Sequence, residues 1–343
     1  MKAVFLDKPG LIGVGDVPDP TIQESDDAIV SVTETAICGA DLLPFHGHTP
    51  GFENGTIMGH EFVGEVVAVG SAVTSLVVGQ RVVSTSTVSD GTCQHCRSTR
   101  PSQCTDRRLF GYSGVYPRLD GGQAELVRVP RAERLLLPLP DSVSAEAAVF
   151  LADVLPTGYA AVTRGGVKLG DTVVVVGCGP VGVMAVMCAL RVAATVIAVD
   201  GVTSRRQLVS QLGAIAVDPE SADSMIQELT DGLGADVVIE AAGAPGALTA
   251  SLGFVRGRGT VSVVGAHFEP DYPLNNGLMF EHEICLRFTI GDPFNDRQRL
   301  LGMIEAGVLD PTVLVSHRLP LAQAASGYEL FDSKEASKVI LLP

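Results

Sequence analysis

From Asp171 onward the chain alternates two textures, and that alternation restricts the fold more than any other feature. Runs of β-branched residues (TVVVVG, TVIAVD, AIAVD, ADVVIEAAG, TVSVVG, ICLRFTIG) are mostly followed by helix-like segments (PVGVMAVMCALRVA, TSRRQLVSQLG, SADSMIQELTDGL, APGALTASLGFV). A strand with one wet face alternates apolar and polar residues, and these runs do not. Strands apolar on both faces and separated by helices predict a parallel sheet covered on both sides, the doubly wound α/β arrangement.

Inside this region, DTVVVVGCGPVGVMAV sets Gly177, Gly179 and Gly182 in a G-x-G-x-x-G turn, with Pro180 and Val181 between the last two. The turn follows a predicted strand and opens a predicted helix. The first glycine permits the tight turn, the second lets backbone approach a pyrophosphate, and the third lets helix and strand pack closely. The helix N-terminus adds partial positive charge. Asp200 closes the next strand, TVIAVD, where an acid binds the adenosine ribose. These features predict a dinucleotide site. A carboxylate accepts from a ribose diol and repels a 2′-phosphate, so Asp200 favours NAD over NADP. Arg205 and Arg206 keep NADP open, or are solvated charges on the following helix.

Before Pro140 the pattern differs. Short β-like runs (KAVFL, AIVSVTET, FVGEVVAVG, QRVVSTS, AELVRVP) are broken by Gly, Pro and Asp, which predicts an irregular, mainly antiparallel β domain. After about Gly291 a helix, a short strand, another helix and a terminal strand (SKVILLP) remain, expected to pack back onto this first domain. The segment from Phe150 to Gly170 reads as helix, not flexible linker.

The stretch from Ile37 to Glu61, ICGADLLPFHGHTPGFENGTIMGHE, concentrates the reactive side chains. Cys38 and His60 come from two turns, each beside a stiff element, and would make half of a zinc site. A second cluster, DGTCQHCRSTRPSQC, holds Cys93, Cys96 and Cys104 spaced C-x2-C-x7-C. Seven cysteines, an odd number, are expected as thiols or metal ligands in a reducing cytoplasm. Cys188 and Cys285 fall in helix and strand patterns and are expected in the core. A formal net charge of −15 argues against nucleic-acid backbone and anionic membrane as partners. MKAVFLDKPG lacks the apolar core of a signal peptide, and no apolar run reaches the roughly 20 residues that span a bilayer.

Together, Cys38-Gly39-Ala40-Asp41, Gly59-His60-Glu61, the glycine turn and LADVLPTGYAAV at Leu151 to Val162 resemble the zinc-dependent medium-chain alcohol dehydrogenase family, over essentially the whole chain. The resemblance implies a GroES-like catalytic domain over residues 1–153 and 291–343 and a Rossmann cofactor domain over 154–290. It implies a catalytic zinc on Cys38, His60 and Asp153, with the fourth position open for water or a substrate oxygen. Asp41 would hydrogen-bond His60, Glu61 would sit behind the metal, Thr157 would lie near the nicotinamide, and Val264 and Gly265 would meet its carboxamide. Dimers or tetramers are expected.

Family members with a structural zinc carry four cysteines spaced C-x2-C-x2-C-x7-C, which places Asp90 at the first position here and leaves His95 as the rival fourth ligand. The family's relay hydroxyl, two residues after the ligand cysteine, is missing at Ala40, and Leu43 replaces a relay histidine found in some members. Either water reaches the metal directly, or His46 or His48 carries the proton. The implied activity is hydride transfer between NAD and an alcohol, aldehyde or ketone. A formaldehyde dehydrogenase or dismutase that retains its cofactor is the neighbouring alternative, and a cofactor-binding structural or sensor protein the alternative outside enzymes. Phe45, Phe52, Tyr112, Tyr116 and Leu119 are candidates for the substrate wall or for ordinary packing.

Overall fold

A computed structural model describes the chain from Met1 to Pro343. It divides into two units, Thr157–Gly291 and, from the two chain ends, Met1–Pro156 with Asp292–Pro343. Helix Val154–Gly165 carries the chain through the first crossing, which therefore falls a few residues beyond the expected 153/154.

Thr157–Gly291 is built on six parallel strands. Their order across the sheet is Ile215–Val217, Thr195–Val199, Thr172–Val176, Ala235–Glu240, Val255–Val263 and Cys285–Phe288. The chain winds outward from Thr172–Val176 in one direction and then restarts beside it in the other. Such a reversal opens a crevice at the carboxyl ends of the two central strands, here Val176 and its neighbour Glu240. Val173, Val174 and Val175 are fully buried, which is why TVVVV shows no polar alternation. Helix Pro180–Ala189 buries every residue from Gly182 to Ala189, so its sequence is apolar all round. Each fully buried valine or leucine of this core contributes roughly 1.5–3 kcal/mol by leaving water.

Cys285 departs from the expectation of a core residue. Its strand is the outermost of the six, and Cys285 and Phe288 are exposed, whereas Cys188 is buried in helix Pro180–Ala189. An apolar run alone does not separate an edge strand from a central one. Helix Asn276–Glu281, absent from the sequence reading, is capped by Asn275, whose Oδ1 accepts from the Leu278 amide at 3.1 Å.

The other unit carries a seven-stranded, mainly antiparallel sheet. Its path runs His317–Pro320, Val339–Leu342, Ala28–Ile37, Glu61–Val69, Arg81–Val83 and Leu137–Pro138, with Leu126–Val129 also pairing to Ala28–Ile37. The terminal strand pairs Val339 with Ile37, so the chain's end is fastened beside Cys38. Only His317–Pro320 and Val339–Leu342 run parallel. One core gathers Phe62, Val66, Phe110 and Leu135, and a second gathers Val4, Ile37, Met58 and Tyr328. No single helix is long and apolar enough to cross a membrane.

Candidate metal and cofactor sites

Cys38 follows strand Ala28–Ile37 and caps the 3-10 turn Gly39–Asp41. Asp41 reaches back, its Oδ2 accepting from the Cys38 amide at 3.0 Å, which fixes the cysteine at the turn. His60 precedes strand Glu61–Val69. Gly59, at φ +93°, delivers it; a Cβ there would lie 2.4 Å from Gln123 Cγ, so no other residue fits. Asp153 follows the 3-10 turn Val149–Ala152 and leads into helix Val154–Gly165.

These three residues, drawn from positions 38, 60 and 153, converge. The Cys38 thiol, a ring nitrogen of His60 and a carboxylate oxygen of Asp153 lie within 4.8 Å of one another. Tetrahedral zinc takes sulfur at about 2.3 Å and nitrogen or oxygen at about 2.0–2.2 Å, so modest closure of this triangle would suit it. His60 Nδ1 is 3.2 Å from Asp41 Oδ1 and Nε2 is 3.3 Å from Asp153 Oδ2. Both nitrogens are buried, yet neither contact has hydrogen-bond alignment. A buried imidazole so placed between a thiol and a carboxylate has the donor set of a metal ligand.

Electrostatics agree. Burial alone would lower the His60 pKa, but Asp41, with Cys38 and Asp153, lifts it well above the ordinary value. Burial, followed by Glu61, pushes the Cys38 thiol up. Without metal the pocket thus prefers a protonated imidazole and a neutral thiol. Glu61 points away from the triangle to Lys338; both are fully buried and hydrogen-bonded to each other, and Glu61 holds the ammonium pKa above its usual value against burial.

Gln123 and Tyr328 were not legible as part of this site. Tyr328 donates to Gln123 Oε1 at 2.9 Å, and Gln123 Nε2 donates to Asp41 Oδ2 at 3.4 Å and to the Ala36 carbonyl at 3.3 Å. The result is a buried chain from Tyr328 through Gln123 and Asp41 to His60. Only Lys338 carried a sequence signal, a lone cation inside the apolar terminal run KVILL.

The second cluster closes as a set of four. Ligand atoms of Asp90, Cys93, Cys96 and Cys104 also lie within 4.8 Å of one another. Cys93 and Cys104 sulfurs are 4.0 Å apart, too far for a disulfide. Asp90 Oδ1 accepts from the amides of Thr92 and Cys93 at 2.8 and 2.9 Å. Cys93, capping helix Gln94–Arg97, is lowered to about 7, chiefly by the Cys96 amide, while burial and then Asp90 raise Cys96 to about 12. His95 is exposed and outside the convergent set.

In the Thr157–Gly291 unit, Gly177 adopts φ +92° directly after strand Thr172–Val176, and a Cβ on Gly182 would sit 1.8 Å from the Gly177 carbonyl oxygen. Gly179 caps helix Pro180–Ala189, with Pro180 at its first turn and Val181 next. The nearest atom to a Cβ on Gly179 is Arg205 Nη1, 3.9 Å away, so the space before the helix N-terminus is open. Asp200 Oδ2 accepts from the Cys178 amide at 2.7 Å and Oδ1 from the Val202 amide at 2.7 Å, fixing the carboxylate beside the turn. Arg205 Nη1 stands 3.7 Å from Asp200 Oδ2, and Arg206 donates to the Asp200 carbonyl at 2.7 Å. Cys178 is buried, its thiol raised to about 12 by burial and then by Asp200. Val264 and Gly265 donate their amides to the Glu240 carbonyl at 2.8 and 2.9 Å. The Glu240 side chain accepts from Ala242 and Gly243 and meets His267 Nε2 at 2.9 Å, so this acid organises the loop at the sheet's carboxyl edge. Thr157 packs on Gly291, where a Cβ would lie 2.0 Å from its Oγ1.

Residues 24–141 match the alcohol dehydrogenase GroES-like domain, and residues 180–306 match the zinc-binding dehydrogenase family. An uncharacterized zinc-type alcohol dehydrogenase-like protein of Bacillus subtilis (strain 168) is 36% identical over 379 aligned positions, covering 100% of both chains. This chain belongs to the zinc-dependent medium-chain alcohol dehydrogenase family. Among solved relatives, alcohol dehydrogenase TADH from Thermus sp. ATN1 superposes with a TM-score of 0.96 at 36% identity, covering 100% of this chain and 99% of that one. A zinc-binding dehydrogenase of Sinorhizobium meliloti 1021, solved bound to NADP, gives a TM-score of 0.88 at 29% identity, with 100% and 99% covered.

Against the pattern of this dehydrogenase family, Ala40 offers only its backbone: its carbonyl accepts from the Tyr112 hydroxyl. Burial, then the charge of Asp41, holds that phenol well above its ordinary pKa. His46 is exposed and 2.8 Å from Asp332, and His48 is exposed beside it. Of the other wall candidates, Leu119 lies in the Phe62 core, Phe45 and Phe52 pack on the Tyr328 core, and Tyr116 is stacked by Arg107.

Proposed function

We propose that this chain is an NAD-dependent alcohol dehydrogenase holding a catalytic zinc on Cys38, His60 and Asp153 and a structural zinc on Asp90, Cys93, Cys96 and Cys104. The observation that carries this reading is the buried His60 Nε2, without an aligned hydrogen bond, facing Asp153 and Cys38. When bound, zinc supplies a Lewis acid for the oxygen of an alcohol or carbonyl substrate, and the nicotinamide supplies the hydride acceptor or donor.

This chain's residues do the rest. Asp41 sets the imidazole tautomer: with the proton on Nδ1 facing its carboxylate, Nε2 keeps a lone pair for a metal. Cys38 as thiolate and Asp153 as carboxylate contribute two negative charges, matching a dication. Glu61 and Lys338 form a closed ion pair behind the triangle and add no net charge to it. For the proton, Ala40 has no hydroxyl and His46 is engaged on the surface by Asp332, so transfer through water is the favoured route.

Asp200, anchored by two amides beside Gly179, supports NAD; Arg205 and the NADP-bound relative support NADP as a second reading. A homo-oligomer, dimer or tetramer, is supported by the exposed edge strand Cys285–Phe288. All seven cysteines are free thiols, which supports a cytoplasmic location.

The test is an alcohol and aldehyde panel run with NAD and NADP alongside zinc counting. Two zinc ions per chain and NAD-linked turnover are expected. Cys38→Ser and Asp153→Asn should each lose one zinc and turnover together; full zinc retention by both would refute the site. Equal use of both cofactors by the unaltered protein would overturn the NAD assignment, and Asp200→Gly should move preference toward NADP.

A further inference from the structure

We propose that the Thr157–Gly291 unit carries a second ligand site, for a phosphate dianion, at the sheet edge opposite the glycine turn. A cavity of about 240 Å³ opens there. At about 30 Å³ per water volume, that is room for a phosphate group and a few carbons. Its wall contains Arg164, Lys168, Arg256, Arg258 and Arg287 against two carboxylates, Asp171 and Asp236. Five of the chain's 24 cationic side chains thus surround one small cavity in a protein of net charge −15. Like charges gathered this closely repel, and an anion relieves the repulsion.

The strand register fixes which edge this is. Thr260, on the wall, pairs with Val237, and Val237 pairs with Val173 near the start of its strand. The dinucleotide turn lies past Val176, at the other end.

Partnering divides the cations into held and available ones. Arg256 Nε donates to Asp236 at 2.7 Å, and Arg258 pairs with Glu283 outside the wall. Arg287 donates one bond, to the Arg164 carbonyl at 2.8 Å, and pairs with no carboxylate; Lys168 has no side-chain partner. Arg258 sits at φ +61°, its amide donating to the His282 carbonyl at 2.7 Å. Guanidinium groups and a lysine ammonium arranged round a concavity suit a tetrahedral oxyanion, which takes several charge-assisted bonds at once.

The experiment uses the zinc-loaded protein with NADH at saturation, so that the glycine turn is filled. Inorganic phosphate and glycerol phosphate are titrated by calorimetry at constant ionic strength, with chloride as the control. One saturable phosphate site per chain is expected, and the phosphomonoester arm reports whether an attached carbon skeleton adds affinity. Lys168→Ala combined with Arg287→Ala should weaken phosphate at least tenfold while NADH affinity is unchanged. Lys168→Glu is the second variant: the side chain is exposed, so a folded protein with weakened phosphate binding is expected. Absence of saturable binding in the NADH-filled protein overturns the proposal, as does phosphate affinity unchanged in both variants.

Discussion

Replacing Asp41 by Asn tests how the pocket selects its metal-ready state. The side chain is fully buried. Its Oδ2 holds the Cys38 amide at 3.0 Å while Oδ1 faces His60 Nδ1 at 3.2 Å. Asparagine has one carbonyl oxygen, which the Cys38 amide would keep. Its NH2 then faces Nδ1, turning that nitrogen into an acceptor and moving the ring proton to Nε2, the nitrogen aimed at Asp153. Zinc must displace that proton or break the new contact. Loss of such a supporting carboxylate costs about 10–100-fold in metal affinity, or roughly 1.4–2.7 kcal/mol. Zinc affinity is measured by competition with a chelator at neutral pH, on variants whose circular dichroism matches the parent. Gln123→Leu is the graded control: its amide bonds are long, at 3.3 and 3.4 Å, so a loss below about 1.5 kcal/mol is expected. If Asp41→Asn binds zinc as tightly as the parent, the carboxylate does not set the tautomer.

The zinc-free chain should become less stable as pH rises. His60 has a raised folded-state pKa, so its contribution is complete below its unfolded value of about 6.5 and is lost as pH climbs through the raised value, visible in chelator-treated melting curves. Zinc affinity should rise over the same interval, since binding expels that proton, and a pH-independent affinity would contradict the ligand assignment. At the second cluster, Asp90→Ala should lower the metal count to one per chain, while His95→Ala should leave two. Lys338→Met should destabilise by about 3–5 kcal/mol in denaturant unfolding because Glu61 is left buried and unpaired, whereas adding Glu61→Gln should restore most of it. A single variant no worse than the double would show that the pair is not coupled.

The doubly wound unit was readable from sequence because its cause is local: strands buried on both faces cannot alternate, and the glycine turn is a contiguous motif. The edge position of Cys285–Phe288 was not readable, since the run ICLRFTIG is largely apolar like those of the buried strands. At the metal site, Cys38, His60 and Asp153 were reached through the family pattern, and their convergence needs the fold. Gln123 and Tyr328 had no local signal. A glutamine after two glycines gives no hint that it lies beneath an aspartate and beside a tyrosine 205 positions away.

Charge explains why the metal pocket is built from so many acids. Asp41, Glu61 and Asp153 surround a cysteine and a histidine in a region of the fold where Asp41, Glu61, His60 and Lys338 are all nearly or fully buried. Uncompensated, such a group would be costly, because low-dielectric surroundings strengthen repulsion along with attraction. Each acid, however, has a separate answer. Lys338 pairs with Glu61, against the burial that raises the Glu61 pKa. Asp41 is answered by two donors, the Cys38 amide and Gln123, and by His60 itself. Asp153 and the Cys38 thiol both face the imidazole. In the metal-free protein Asp41, and after it Cys38 and Asp153, raise the His60 pKa in spite of burial, so the imidazole holds a proton. A dication would balance these groups better, allowing the thiol to ionise and the imidazole to become neutral. Proton and zinc therefore compete for the same charge deficit, at a triangle whose thiol also feels the opposite charges of Glu61 and Lys338.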